Sequence, residues 1–273
     1  MRLVTYATES GTGVGVRRDG TILAAGFADM HALIGAGARG LERARQAADE
    51  VVGARLLAPI RPGKTLCSGI NYASHADENP AAKMPEEPFF FSKLPSAVIG
   101  PGAPIVIPRE RTLTDYEVEL ALVIGRGGRR IAEADALEHV FGWTVLNDVS
   151  ARDVQFKEMQ ITLGKNPDTF SPIGPEIVTA DELGDWSTLR VSSRLNGRVM
   201  QDAPTSEMLF SPARLIAFLT ELITLEPGDV VTTGSPAGVG CFRDPPVYLQ
   251  PGDEITVSVD RIGDLTNPVE AGW

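Results

Sequence analysis

The stretch DYEVELALVIG, residues 115–125, alternates acidic or aromatic with aliphatic residues and then turns continuously apolar. Alternation with period two is the mark of a strand, in which residues i and i+2 share a face. Glu117 and Glu119 then point one way, with Asp115 aligned behind them, and Tyr116, Val118 and Leu120 point the other. LALVIG reads as buried on both faces, which places the strand inside the protein. Two carboxylates stacked on such a strand repel each other and lose hydration, so they need water, a basic side chain or a cation beside them. On these residues alone, a solvated strand face and a shared cation both stay open.

WTVLNDVSARDVQ (143–155) bears on that choice. It reads as an apolar strand ending at Asn147-Asp148, followed by a helix from about Ser150. Asp148 suits a turn or a helix cap. It also suits a third ligand: two glutamates and an aspartate make an all-oxygen set, which is the chemistry of Mg²⁺ or Mn²⁺, whereas zinc more often takes His or Cys. The two cysteines, Cys67 and Cys241, have no metal-ligand spacing.

Outward from this centre the chain is mainly β, with short helices. Residues 1–26 read as a β-meander turning at Gly11 and at RRDG. GTGVGV is not followed by a helix, so it reads as a glycine-rich hairpin rather than a dinucleotide loop. Residues 28–51 are helix-like with a break at GAGARG, and LLAPIRPGK (56–64) reads as a linker. Residues 1–60 are thus expected to form a small N-terminal α+β domain, and 61–273 the main domain. Short helices are expected at EADALEHVFG, SARDVQFKEMQ and SPARLIAFLTEL. Strand–helix alternation of the doubly wound kind is missing. The 273 residues carry a formal charge of −11, which argues against nucleic acid or an anionic membrane as the main partner. The N-terminus has no apolar core of a signal peptide, no run is long enough to span a bilayer, and a cytoplasmic protein is expected.

GINYASHADE, PFFFSKLPSAVIGPGAPIVIP, DYEVELALVIG, GWTVLNDVSARDVQ, GKNPDTFSPIGP, LNG with Gln201 after it, and PGDVVTTGSPAGVG occur in this order. Together they resemble the fumarylacetoacetate hydrolase superfamily over about residues 64–269. The resemblance implies mixed β-sheets rolled around a central site, usually in a homodimer. It implies Mg²⁺ or Mn²⁺ held by Glu117, Glu119 and Asp148, with Asp115 outside the ligand set, and a small anionic 2-oxo acid as substrate.

His75 and Glu78 are three apart, so a helical turn puts them on one face, where the glutamate can orient the imidazole. The resemblance makes this pair the water-activating dyad. It also turns Lys93 and Lys165 toward the site, Lys165 as a catalytic oxyanion stabiliser, and makes Gln155, Thr233, Gly234 and Ser235 substrate contacts. Read by themselves, these residues suit surface or turn roles equally well. Arg152 and Asp153 read as structural partners, and His31 and His139 as packed or surface histidines. Two departures from the family pattern stand out: Asn166-Pro167 in the Lys165 loop, and Ser235 where threonine is commoner. The expected activity is metal-dependent hydrolysis of a C–C bond in a 2,4-dioxo acid (an acylpyruvate, fumarylpyruvate or diketo-deoxy acid), releasing pyruvate or a related 2-oxo acid. The alternative is an isomerase, tautomerase or decarboxylase acting on a 2-hydroxy-dienedioate or oxaloacetate. A metal-dependent binding protein without catalysis is a third reading, disfavoured by the dyad. Residues 79–90 and 156–168 are expected to choose the substrate.

Overall fold

The computed structural model describes residues 1–79, 83–108, 113–157 and 160–272. Its main sheet runs, in spatial order, through strands Thr21–Ala24, Gly11–Arg18, Arg2–Thr8, Ser171–Thr179, Val140–Asn147, Val118–Ile124, Val230–Thr232, Thr65–Ser68 and Phe90–Lys93. Arg55–Leu57 pairs beside Arg2–Thr8, and Val98–Ile99 beside Ser171–Thr179. A second sheet orders Arg198–Pro204, Arg190–Leu195, Glu254–Val259, Gly263–Ala271 and Ile105–Ile107. Most neighbours are antiparallel; Val230–Thr232 runs parallel to Thr65–Ser68. Helices are few and short among the described residues, and none is long and apolar enough to cross a membrane.

The strand Val118–Ile124 is buried along its whole length, and its two faces serve two cores. Val118, Leu120, Leu122 and Ile124 pack with Val191, Val257 and Leu265 of the second sheet. Ala121 and Val123 pack with Leu3, Val14, Leu33 and Ile34 of the N-terminal segment. That is why the stretch reads as continuously apolar rather than alternating.

The N-terminal meander forms as expected. Arg18 pairs with Thr21 across Asp19-Gly20, both with positive φ (49° and 84°), the two-residue turn that matches strand twist. The break expected at residue 60, however, is not a break in the sheet. Arg2 and Leu3 pair with Val178 and Ile177, and Leu57 in the supposed linker pairs with Thr5. Fully buried Glu176 is held by Arg2 at 2.5 Å and Arg17 at 2.8 Å. Residues 1–60 are therefore continuous with the body in both sheet and core.

Two helices differ from expectation. EADALEHVFG forms a 3₁₀ helix, Glu133–His139, before Val140 enters the sheet. In SARDVQFKEMQ, Ser150 and Ala151 pair with Asp115 and Thr114, so the helix is cut to one turn, Arg152–Gln155; residues 158–159 lie outside the described residues. SPARLIAFLTEL behaves as read: Pro212–Leu222 is helical, and the Ser211 hydroxyl accepts from the Arg214 amide at 3.1 Å.

Leu3 is fully buried at the seam. Leu3→Ala is expected to cost about 2–5 kcal/mol and to shift one urea transition followed by tryptophan fluorescence, because Trp143 lies in the body strand Val140–Asn147. A Trp143 transition that does not move would mean that the N-terminal segment unfolds on its own.

Candidate active site

Register brings the three acids together. Val118 pairs with Asn147 and Glu119 with Leu146, so Asp148 emerges beside Glu117 and donates its backbone N–H to the Glu117 carbonyl at 2.8 Å. Glu117 is not itself in the ladder. The expected strand is interrupted at Tyr116-Glu117, between Thr114–Asp115 and Val118–Ile124. There the backbone is taken up by side chains: Asn147 Oδ1 accepts from Glu117 N–H at 3.0 Å, and Gln201 Oε1 from Val118 N–H at 3.1 Å. The direction of the side chains survives the interruption. Carboxylate oxygens of Glu117, Glu119 and Asp148 lie within 4.8 Å of one another, and all three residues are buried.

The charges around them are unevenly shared. Asp148 meets Lys93 Nζ at 2.7 Å and Lys165 Nζ at 2.5 Å. Glu117 meets Arg152 at 2.5 Å and Lys165 at 3.3 Å. Burial alone would raise the Glu117 carboxyl, but these two cations hold it below the usual range. Among the described residues no cation contacts Glu119; the Gly234 N–H donates to it at 2.8 Å. Burial first, and then the Asp148 and Glu117 charges, push its carboxyl well above the usual range. Asp115 sits apart from the triad and accepts from Arg152 Nε at 2.9 Å and from the Gly240 and Cys241 N–H groups at 2.7 and 3.0 Å. Among the described residues, four buried carboxylates, Asp115, Glu117, Glu119 and Asp148, thus face three cations, Lys93, Arg152 and Lys165. The donor set is all oxygen, and the missing charge lies at Glu119, so the residues present fit a hard divalent cation.

A cavity of about 210 Å³ opens beside the triad. Glu117, Arg152 and Lys165 form its floor; His75, Gln155 and Ser235 lie on its walls. His75 and Glu78 lie on the short helix Ala73–Glu78, and His75 Nδ1 is 2.6 Å from Glu78 Oε1. Glu78 is fixed in turn by the Gly238 N–H at 2.7 Å. A carboxylate accepting from Nδ1–H leaves Nε2 as the basic nitrogen. Gln155 Oε1 accepts from Arg152 Nη1 at 2.9 Å, which leaves its amide N–H₂ to donate. Ser235 Oγ accepts from Gln201 Nε2 at 2.7 Å, which leaves its own proton for a ligand.

Three residues expected to touch substrate do not line this cavity. Lys93 is buried behind it, donating to the carbonyls of Val149, Lys165 and Phe170 at 2.6–2.7 Å while it pairs with Asp148. Thr233 spends both its N–H and its hydroxyl on the Leu120 carbonyl. Gly234, at φ 79°, is packed against Asn71 and holds Glu119. Lys165, expected in a loop, ends a one-turn helix, Thr162–Lys165. Arg152, read as structural, forms part of the cavity floor; only its neighbourhood in space reveals that. Of the segments expected to choose the substrate, Phe89, Phe156 and Ile161 do line the cavity, whereas residues 80–82 lie outside the described residues.

The family described as fumarylacetoacetate (FAA) hydrolase, C-terminal, matches residues 64–270. The chain is 47% identical over 217 residues to oxaloacetate tautomerase fahd2, mitochondrial, of Xenopus laevis, covering 78% of this chain and 68% of that one. The structure superposes at a TM-score of 0.87, with 38% identity and full coverage of both chains, on a fumarylacetoacetate hydrolase from Exiguobacterium antarcticum. It does so at 0.83, with 35% identity and full coverage of both, on 5-carboxymethyl-2-hydroxymuconate delta-isomerase from Mycobacterium smegmatis.

Glu119→Gln separates the charge argument from simple damage. Calorimetric titration with Mn²⁺ should show affinity reduced on the order of 100-fold or more, since even outer partners of a metal ligand cost 10–100-fold. Without metal, the variant should melt above the wild type at pH 8, because a raised carboxyl pKa makes the ionised group destabilising at high pH. The gap should close as pH falls toward the unfolded-state carboxyl pKa. A variant that melts lower at every pH would contradict the assignment.

Proposed function

Because the chain belongs to the fumarylacetoacetate hydrolase family, we propose that it interconverts the enol and keto forms of a small 2-oxo acid of the oxaloacetate type, with Mg²⁺ or Mn²⁺ held by Glu117, Glu119 and Asp148. The observation that carries this reading is that His75, held by Glu78, lines the same cavity as Glu117, one of the three clustered carboxylates. A proton carrier facing an electron-withdrawing centre is what tautomerisation needs. The names of the most similar curated relatives favour it over hydrolysis of a C–C bond. The dyad serves either reaction, since an oriented imidazole takes a proton from carbon or from water with equal economy of structure.

Glu117, Glu119 and Asp148 would hold a divalent cation, which would withdraw electron density from the 2-oxo group and acidify the neighbouring C–H. His75 Nε2 takes that proton. Glu78 steadies the imidazolium through Nδ1–H. Negative charge moves to the oxygen of the former carbonyl, where the Lys165 ammonium and the Gln155 amide face it. His75 then returns a proton to that oxygen to give the enol, and the same steps run backwards give the ketone. Lys93 keeps Asp148 in place from behind.

The test is a stopped-flow record of enol absorbance after enol-oxaloacetate is mixed with enzyme and Mg²⁺, alongside pyruvate release from a panel of 2,4-dioxo acids. Wild type should collapse the enol signal faster than buffer, and EDTA should remove the effect. His75→Ala should lower kcat by about 10²–10⁴-fold while Mn²⁺ affinity, measured by titration, stays within a few-fold. Faster pyruvate release from a dioxo acid than tautomerisation of oxaloacetate would return the hydrolase reading.

A further inference from the structure

We infer that the cavity takes 2-oxo acids whose far end is apolar, and discriminates against those carrying a second carboxylate several carbons from the oxo group. This names the substrate class of the site and rests on the reading above only for where the 2-oxo acid head sits. The cavity has two levels. Its floor is charged and closed off: Glu117, Arg152 and Lys165 are 6%, 3% and 2% exposed. The rest of the lining is rich in aromatic and aliphatic side chains, set among the polar groups of Ser68, Asn79, His75, Gln155 and Ser235. The Phe91 ring lies 4.8 Å from Lys165 Nζ. Phe242 lies 6.2 Å from the His75 ring, and Phe156 lies 6.4 Å from Phe242. Ile70, Phe89 and Ile161 complete this level, with Phe89 46% and Phe156 61% exposed at the mouth.

Among the described residues that line the cavity, the cations are Arg152 and Lys165. Both are already engaged. Arg152 contacts Asp115, Glu117 and Gln155, and Lys165 contacts Asp148 and Glu117. A carboxylate close to the oxo group can still reach this floor, which accommodates oxaloacetate. A carboxylate farther along the chain would sit among phenylalanine rings, losing hydration with no unengaged cation among the described lining residues to replace it. An alkyl or aryl tail there instead gains about fourfold in affinity per buried methylene.

The aromatic wall is built into the fold. A Cβ on Gly69 would fall 1.9 Å from the Phe89 ring, so a glycine is what lets that ring lie on the backbone, and Gly69 N–H donates to the Phe89 carbonyl at 2.9 Å. The isomerase from Mycobacterium smegmatis is named for a substrate bearing a carboxymethyl group.

The experiment is calorimetric titration of the Mg²⁺-loaded enzyme with 2-oxoheptanoate and with 2-oxoheptanedioate, which have the same length and differ at the far end. The monoacid should bind at least tenfold more tightly. Phe156→Arg, at an exposed position that tolerates the exchange, should narrow or invert that ratio. Equal or tighter binding of the diacid, no measurable binding of the monoacid, or a ratio indifferent to Phe156→Arg would each overturn the inference. Turnover of enol-oxaloacetate is recorded in parallel. Its absence beside an intact binding ratio would refute the tautomerase reading and leave the substrate class standing.

Discussion

Buried charge organises this protein. Asp148 is fully buried with an ammonium on each side, and neither side chain would be tolerable without the others. Removing one partner from such a cluster leaves a bare ion in a low-dielectric interior, a loss of about 3–5 kcal/mol. The surrounding chain is arranged accordingly. Lys93 is gripped by three carbonyls from residues 149, 165 and 170, so one ammonium ties the end of a sheet strand to the turn after Val140–Asn147, the end of helix Thr162–Lys165 and the segment before Ser171–Thr179. Burial lowers the Lys93 ammonium, and Asp148 works against that; Lys165 is pulled the same way by burial, but Asp148 and Glu117 raise it beyond its ordinary value. Two lysines with the same partner thus differ in character because one has a second acid beside it.

Asp115 and Arg152 extend the same logic outward. Asp115 receives two backbone N–H groups from Gly240 and Cys241 and a guanidinium N–H from Arg152. The loop after Val230–Thr232 is thereby fastened to the start of the acidic strand. Gly238 in that loop holds Glu78, and Glu78 holds His75. His75 is therefore indirectly tied to the loop that fastens Asp115, through charge-assisted hydrogen bonds that are shorter and stronger than neutral ones.

Much of this was legible in the sequence, and the exceptions share a cause. The Glu117/Glu119 pairing survived because period-two direction persists even where the strand breaks at Tyr116-Glu117. The His75–Glu78 contact was legible because i,i+3 on a helical turn is a local geometry. Asp19-Gly20 announced its hairpin. What the residues could not tell was which of Lys93 and Lys165 faces the cavity, since the difference lies in carbonyls more than fifty residues from Lys93. Thr233 and Gly234 likewise look like free donors until Leu120 and Glu119 are placed against them. The Pro- and Gly-rich stretch 56–64 reads as a linker by composition, yet Leu57 pairs in the sheet and Ile60 is buried in its core. Composition describes how a segment bends, not what covers it.

The uneven distribution of charge also explains why the metal site and the stability of the fold are one problem. Glu119 is the acid of the triad that no cation contacts among the described residues, and it lies on the same strand whose apolar residues join the two cores. An ion that binds the folded state alone adds RT ln(1 + [L]/Kd) to its stability. Here it would do so by relieving a penalty already present in the folded chain. Filling the place with a lysine from this chain would neutralise Glu119 as well, but would leave no ligand positions for a substrate's oxygens. A divalent cation supplies the charge and keeps part of its coordination shell open. The charge deficit at Glu119 thus suits the buried triad to a divalent cation, which a lysine in its place would not.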